Sequence, residues 1–341
     1  MRVMALKRSV IAPMVAVLGM APGAVAAELN LYTPREPGLI QPLLDAFTKS
    51  TNTKVNTIFL KDGLAERVAS EGDRSLADIL MTVDAGNLID LVEKGLTQGV
   101  QSDVLTRTIP EALRDAEGHW FALSLRARAV FVAKDLDLKS ITYEELADPA
   151  WKGKICIRAG QHPYNVSLVG AYIAHHGEPA AEKWLTGVKS NLARKAGGGD
   201  RDVARDIMAG LCDIGVANSY YIGLMRSGKG GPDQEKWAQA IKMSLPTFQG
   251  AGTHVNITGA AVARHAPNKK EAVAFLEYLV SDQAQKIYAE ANYEYPVNPS
   301  APVDPLIAEY GALQPDTIDI AKAVSFRKAA SELAERVGFD N

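Results

Sequence analysis

The chain has 341 residues, and its 40 acidic and 37 basic side chains give a formal net charge of −3. A basic start followed by a short apolar run predicts a signal peptide over residues 1–27. Its removal takes away three positive charges, and a net charge of about −6 argues against nucleic acid as a partner. We expect a soluble, exported protein without membrane insertion, because no later segment is apolar enough to cross a bilayer.

The first part of the mature chain alternates short apolar runs with amphipathic patterns. Strands are predicted at residues 29–32, 54–60 and 78–82, and helices at residues 38–51, 64–71 and 86–94. This βαβαβ order predicts a parallel sheet with right-handed crossovers.

The segment FALSLRARAVFVAK, residues 121–134, is long and extended, and we predict that it crosses between two lobes. A second α/β block follows, with strands at residues 154–158 and 213–217 and helices at residues 167–176, 180–192 and 201–210. Residues 254–263 return the chain to the first lobe, and helices follow at residues 269–290 and 325–337. The predicted lobes are residues 28–127 with 254–300 and residues 128–253 with 301–341. The fold class is therefore α/β, with a ligand expected in the cleft between two lobes.

Two cysteines, Cys156 and Cys212, are present. A pair in an exported protein indicates a disulfide, which we favour over two buried thiols on the grounds of an oxidising compartment.

The sequence contains no nucleophile elbow, zinc-protease motif, phosphate-binding loop or dinucleotide fingerprint. The six histidines have no zinc-like spacing with the cysteines, and His175 and His176 fit a helix C-terminus. We therefore expect no enzymatic activity.

Two adjacent tyrosines, Tyr220 and Tyr221, lie in ANSYYIGLM, between an apolar strand and a helix that Ser219 is predicted to cap. Tyr164 has the same setting in a second loop, with Asn165 or Ser167 as the predicted cap. Strand ends of this kind carry the ligand sites of open α/β sheets.

These phenols suit a hard trivalent cation. A free phenol has a pKa of about 10, but a nearby triple charge favours the phenolate, and Fe³⁺ is such an ion in an oxidising compartment. The alternative is that the three rings stack on a sugar or an amine, or simply pack.

Arginines form a second group, at Arg35, Arg126 and Arg128. A guanidinium group binds planar anions through two parallel hydrogen bonds. Ordinary ion pairing is the alternative for each of them.

Seven segments together resemble the periplasmic ferric-ion-binding proteins of bacterial ABC importers, over essentially the whole mature chain. They are LYTPREPGLIQPLLDAFTKSTNTKVN, ADILMTVDAGNL, LRARAVFVAKD, GGGDRDVARDIMAG, ANSYYIGL, GTHVNITGAAVARHAPNK and ANYEYPVNPSAP. The resemblance implies a type II periplasmic-binding-protein fold, with two hinge strands and closure around the ion. It also implies delivery to a membrane permease by a monomeric receptor.

By position, Tyr220 and Tyr221 resemble the paired phenolate ligands of that family, and Tyr164 resembles a further tyrosine ligand of one branch. Arg126 resembles the arginine that holds a synergistic carbonate or bicarbonate, and Arg35 is a second candidate for that role.

The first lobe departs from the family pattern. Glu36 stands where many relatives have a histidine, so it either binds the metal or pairs with Arg35 or Arg126. Asp62 and Asp84 fit a loop residue and a helix cap better than metal ligands. The same fold binding a polyamine, sulfate or thiamine is the alternative function, and an exported enzyme that uses a tyrosine as acid or base is a third.

Overall fold

The computed structural model describes residues 27–341, so the predicted signal peptide lies outside the described residues except for Ala27. The strands are β1 (Glu28–Thr33), β2 (Lys54–Phe59), β3 (Ile79–Thr82), β4 (Thr97–Gln98), β5 (Phe121–Ala133), β6 (Ile155–Cys156), β7 (Ile214–Asn218), β8 (Ile241–Ser244), β9 (Val255–Ala263) and β10 (Tyr295–Pro296).

The helices of the first half are α1 (Pro37–Thr51), α2 (Leu64–Glu71), α3 (Ala85–Glu93), α4 (Asp103–Thr108), α5 (Pro163–His176), α6 (Glu178–Ser190) and α7 (Asp200–Met208). Those of the second half are α8 (Tyr220–Arg226), α9 (Pro232–Gln239), α10 (Lys269–Leu279), α11 (Asp282–Asn292), α12 (Pro305–Ala308), α13 (Ile320–Ser325) and α14 (Arg327–Arg336). None of the helices between Ala27 and Asn341 is long and apolar enough to span a bilayer.

The predicted parallel βαβαβ unit is present. Strand β1 lies between β2 and β3 and is parallel to both. Its residues from Leu31 to Thr33 are buried, as expected for a strand covered on both faces. Strand β3 then pairs with the antiparallel strand β9, which returns from late in the chain.

Strand β5 crosses between the two halves of the sheet, which confirms the predicted crossing. Its residues Phe121 to Ala127 pair with β9, and its residues Arg128 to Val132 pair with β7. The change of partner falls between Ala127 and Arg128, where the Arg128 N–H donates to the carbonyl of His254 at 2.9 Å. Strand β5 thus links the two halves of the sheet and is a hinge strand, while β9 as the second hinge strand and the lobe limits given above stay predictions.

The helix predicted over residues 269–290 is wrong, because two helices occupy this range. Helix α10 ends at Leu279, and α11 begins after Ser281, whose hydroxyl accepts from the Ala284 N–H. A serine in this position satisfies a free backbone donor and so starts a new helix. The strand predicted at residues 154–158 is also shorter, since β6 contains only Ile155 and Cys156.

The predicted disulfide is confirmed. Cys156 and Cys212 are bonded across a Cα–Cα distance of 5.9 Å. Cys156 ends β6, and Cys212 shortly precedes β7, so the bond ties together two neighbouring strands. The loops that carry the three candidate tyrosines follow these strands.

The C-terminal helices pack across the second part of the fold. Helix α13 contacts both α3 and α5, and α14 contacts α5 and α6. Arg327 at the start of α14 also forms an ion pair with Asp90 of α3, at 2.9 Å. The C-terminal segment therefore touches helices on both sides of the hinge strands.

Candidate metal centre

A cleft of about 460 Å³ opens where the parallel strands end. Ligand sites of open α/β sheets lie at such carboxyl ends. The structure brings all six predicted metal-binding and anion-binding residues to its wall, namely Arg35, Glu36, Arg126, Tyr164, Tyr220 and Tyr221.

The two adjacent tyrosines open helix α8 directly after strand β7. Their ring centroids lie 4.1 Å apart with planes tilted by 31°, so both phenols face the cleft side by side. Ser219 is the N-cap residue of α8, as predicted, but its side chain makes no capping bond to the helix. Its hydroxyl accepts instead from the Ala127 N–H at 3.2 Å, which fixes the start of α8 to the hinge strand β5.

Tyr164 lies in the first turn of helix α5. The helix begins at Pro163, earlier than predicted, and His162 is the cap in place of Asn165 or Ser167. The His162 Nδ1 accepts from the Tyr164 N–H at 3.2 Å. Proline suits the first helical position because its missing N–H would have no partner there.

Guanidinium groups surround the Tyr164 ring. The Cζ atom of Arg158 lies 5.0 Å from the ring centroid, and those of Arg126 and Arg128 each lie 5.9 Å away.

The paired phenols resist ionisation in the metal-free protein. Burial, and then the neighbouring Tyr164 and Tyr221, raise the pKa of Tyr220 well above its ordinary value. Burial and Tyr164 likewise raise the pKa of Tyr221. A ligand that binds phenolate must therefore supply enough positive charge to displace these protons.

Arg126 is buried at the hinge with part of its guanidinium free. Its Nη2 donates to the carbonyls of Val83 and Ile257. Among residues 27–341, its Nε and Nη1 have no hydrogen-bond partner. A buried cation with free donors at a cleft wall is suited to holding an anion.

Arg35 is also buried, but its charge is already matched. Its Nη2 donates to Glu294 at 3.0 Å and also contacts Thr258 and Tyr288. Burial raises the pKa of Glu294, but Arg35 and then Arg126 outweigh it, so this pKa lies below its ordinary value. Glu294 therefore neutralises Arg35 beneath the cleft.

Glu36 is exposed at the edge of the cleft, just before α1. Its carboxylate forms no ion pair within the described part of the chain, so the alternative pairing with Arg35 or Arg126 is wrong. Asp84 caps α3 by accepting from the Asn87 N–H, as predicted. Asp62 lies in the loop after β2, outside the cleft.

Several residues of the centre were not predicted. Arg201 places its Cζ 5.3 Å from the Tyr221 centroid, and Lys229 lines the same cleft. Arg158 and Glu294 reach the centre from loops distant in sequence. Of these four residues, only Arg201 could have been identified from the sequence, because the predicted helix begins there, after the glycines at 197–199. Between residues 27 and 341, no three His, Cys, Asp or Glu side chains group to hold a metal, so a metal here would depend on tyrosine oxygens.

Comparison with known proteins decides the family. A family model described as bacterial extracellular solute-binding protein matches residues 74–322. The chain belongs to this family. Membership in this family confirms the prediction of an exported receptor. It excludes the alternative that the chain is an exported enzyme.

The relatives cover nearly the whole chain. Iron uptake protein A2 of Synechocystis is 40% identical over 322 residues, 93% of this chain and 91% of its own. The structure of a Bordetella ferric binding protein is 62% identical, with a TM-score of 0.90, and covers 92% of this chain and 100% of its own. A Trichodesmium protein in complex with iron and citrate is 41% identical, with a TM-score of 0.87, and covers 92% of this chain and 100% of its own. These structures confirm the two-lobed type II fold.

The buried pair of Arg35 and Glu294 gives a testable pH dependence. Glu294→Gln leaves Arg35 buried without a counter-charge, and we expect a loss of about 3 kcal/mol in the free energy of unfolding at pH 7. Because the folded pKa of Glu294 is lowered, its contribution is full above the unfolded value of about 4.3 and disappears as the pH falls through the folded value. Urea unfolding of both proteins between pH 3 and pH 7 measures the difference.

Glu309→Gln is the matched control, because Glu309 pairs with Arg226 at the surface. It should cost less than about 1 kcal/mol. An equal loss for both variants, or a Glu294 effect that does not change with pH, would contradict the role given to the buried pair.

Proposed function

We propose that this chain is a periplasmic receptor that binds Fe³⁺ and delivers it to the membrane permease of an ABC importer. The observation that carries the proposal is the convergence of three phenols, Tyr164, Tyr220 and Tyr221, on one cleft beside the partly free guanidinium of Arg126. The relatives named for ferric iron support the same ion.

The charges of such a centre balance. Three phenolates carry three negative charges, which match the charge of Fe³⁺ before the anion, Arg126 and Glu36 are counted. Phenolate oxygen is also a hard ligand, which suits a small trivalent ion. A divalent ion would leave the charge of one phenolate unbalanced, at a site where the pKa values of Tyr220 and Tyr221 are raised. Fe³⁺ is therefore favoured over a divalent ion.

Arg126 is the proposed holder of a synergistic anion, carbonate or bicarbonate. Its Nη1 has no partner within the described residues and can donate to one oxygen of a planar anion, whose other oxygens would complete the coordination of the iron. The engagement of Arg35 with Glu294 favours Arg126 over Arg35 for this role. A carboxylate such as the citrate bound to the Trichodesmium relative has the same planar geometry.

Glu36 is the proposed ligand from the other side of the cleft. Its free, exposed carboxylate lies across from the tyrosine-bearing helices, so it reaches the metal only when the lobes close. Closure that adds a ligand shifts the population toward the closed state by the free energy of that added contact. We propose a monomer, because a hinge receptor that docks on a permease needs both lobes accessible.

Loss of one phenol should alter the colour of the loaded protein. Ferric phenolates absorb in the visible, so the iron-loaded protein should be orange to red, and Tyr221→Phe should bleach or shift that band. Removal of a ligand should also weaken ferric binding by at least tenfold, as measured by competition with citrate. Tyr278→Phe is the control, because Tyr278 packs against Phe47, outside the cleft.

An unchanged band in Tyr221→Phe would remove the phenolate assignment. A protein that stays colourless and metal-free in ferric citrate, while it binds sulfate, thiamine or a polyamine tightly, would replace iron by that solute.

Iron should be released on acidification. Because three phenols must lose their protons to bind, up to about three protons leave for each ion, and the apparent affinity falls steeply as the pH drops. The raised pKa values of Tyr220 and Tyr221 increase this competition at every pH below them. The visible band followed from pH 8 to pH 4 measures the loss, and a band that persists unchanged to pH 4 would contradict phenolate ligation.

The anion should be detectable through Arg126. Arg126→Gln should weaken ferric binding by about tenfold or more and make the affinity insensitive to added bicarbonate, since the anion loses its charged partner. Arg107→Gln, on the exposed face of α4, should behave like the unmodified protein. Bicarbonate dependence that survives in Arg126→Gln would assign the anion to another cation, with Arg35 and Arg201 next in line.

A further inference from the structure

Asp200 is a buried carboxylate beneath the candidate metal centre. It is the first residue of helix α7, and only 1% of its surface is exposed. It lies outside the cleft wall and can bind no ion there, so its role must act through its neighbours.

Three donors from different parts of the chain converge on this carboxylate. Its Oδ2 accepts from the Arg128 Nη1 and from the backbone N–H of Asn218, both at 2.8 Å. Its Oδ1 accepts from the Arg158 Nη1 at 3.2 Å. One side chain thus joins the hinge strand β5, the loop after β6 and the end of strand β7.

The two arginines that donate to Asp200 also contact Tyr164. The guanidinium groups of Arg128 and Arg158 lie against its ring, and the Arg128 Nη2 donates to the Asn165 Oδ1 at 2.6 Å. Asn165 in turn donates to the carbonyl of Arg158 at 2.9 Å. The position of the Tyr164 turn is therefore tied to both arginines that Asp200 holds.

The third donor to Asp200, the backbone N–H of Asn218, lies next to the tyrosine pair. Asn218 ends strand β7, directly before Ser219 and the first turn of α8. Its side-chain oxygen also accepts from the Arg128 Nη1, at 3.1 Å. The backbone that positions Tyr220 and Tyr221 is thus bonded to the same carboxylate as the supports of Tyr164.

We propose that Asp200 is a positioning residue of the ferric centre, which fixes the distance between Tyr164 and the Tyr220–Tyr221 pair. This inference rests on the proposed function. Ligand atoms around a metal must be held within a narrow range, and groups that orient the ligands typically change the affinity by about 10–100-fold when they are removed. Two buried guanidinium groups also need a counter-charge to stay in place.

A purely electrostatic role predicts the opposite result. The negative charge of Asp200 raises the pKa of Tyr221. The other charged or titratable groups around the phenols include Arg126, Arg128, Arg158, His162 and Arg201, together with the cleft-lining Arg35, Glu36, Lys229 and Glu294. If only charge mattered, its removal would ease ionisation of the phenol and strengthen ferric binding. The direction of the change therefore separates positioning from charge.

The test compares Asp200→Asn with Asp206→Asn. Asp206 lies on the same helix, is also buried with 6% of its surface exposed, and pairs with the more exposed Arg194, at 2.7 Å, and Arg205. Both variants lose the ion pairs of a buried carboxylate, and both should be less stable. Ferric citrate is added to each full-length mature protein, and the visible band, the affinity and the pH of half-release are recorded.

We expect Asp200→Asn to weaken ferric binding by about 10–100-fold, to shift the visible band and to release iron at a higher pH. Asp206→Asn should match the unmodified protein in all three measurements. An unshifted band with unchanged or stronger binding in Asp200→Asn would overturn the inference. Equal changes in both variants would also overturn it, because they would reflect stability alone.

Asn165→Ala provides a second test should Asp200→Asn fail to fold. It keeps the ion pairs of Asp200 and detaches only the Tyr164 turn, so it should shift the band and weaken binding in the same direction. An unaltered band in this variant would count against the inference. A colourless unmodified protein would instead refute the proposed function itself, so the two failures are distinguishable.

Discussion

The centre depends on the cost of ionising several phenols in one half-buried place. The pKa values of Tyr220 and Tyr221 are raised by burial and by their neighbours, so these two side chains are neutral unless a cation lies beside them. Ionised together, three phenols would repel each other unless a cation of matching charge lay between them. In the proposed function, the arriving Fe³⁺ supplies that charge, which makes binding and proton release a single event.

The many arginines near the cleft raise the question of why a cation would bind there at all. Two buried carboxylates match part of their charge. Asp200 accepts from Arg128 and Arg158, and Glu294 accepts from Arg35. Within residues 27–341, Arg126 has no acidic partner, which makes it available for an anion. The positive charge that remains favours ionised phenols and is offset once the phenols are ionised.

Much of this arrangement could be predicted from the sequence, because strand ends and helix starts are local features. The strand before Tyr220, the crossing strand β5 and the disulfide partners follow from short patterns and from the compartment. The partner of the Ser219 hydroxyl could not be predicted, since it is the backbone N–H of Ala127, 92 positions away. The partner of Arg35 is Glu294, 259 positions away, and no local pattern indicates that contact.

The difference between local patterns and contacts of distant residues also explains which site residues could be identified from the sequence. Tyrosines at strand ends stand out because adjacent phenols are unusual there, whereas Arg158 and Glu294 look like ordinary surface charges until the fold buries them. The break at Ser281 was missed for a different reason. The apolar spacing continues through it, and only the capping hydroxyl divides the helix.

The hinge and the site share one strand, which links binding to movement. Arg126 and Arg128 lie two positions apart on β5 and so point to the same face, on either side of the change of strand partner. Arg126 lines the cleft, and Arg128 belongs to the Asp200 network that supports the tyrosines. In the proposed function, a rotation of the lobes about this point moves the anion relative to the phenols. All three phenols follow strands β6 and β7, so in that proposal iron binds to them first and Glu36 adds its contact on closure.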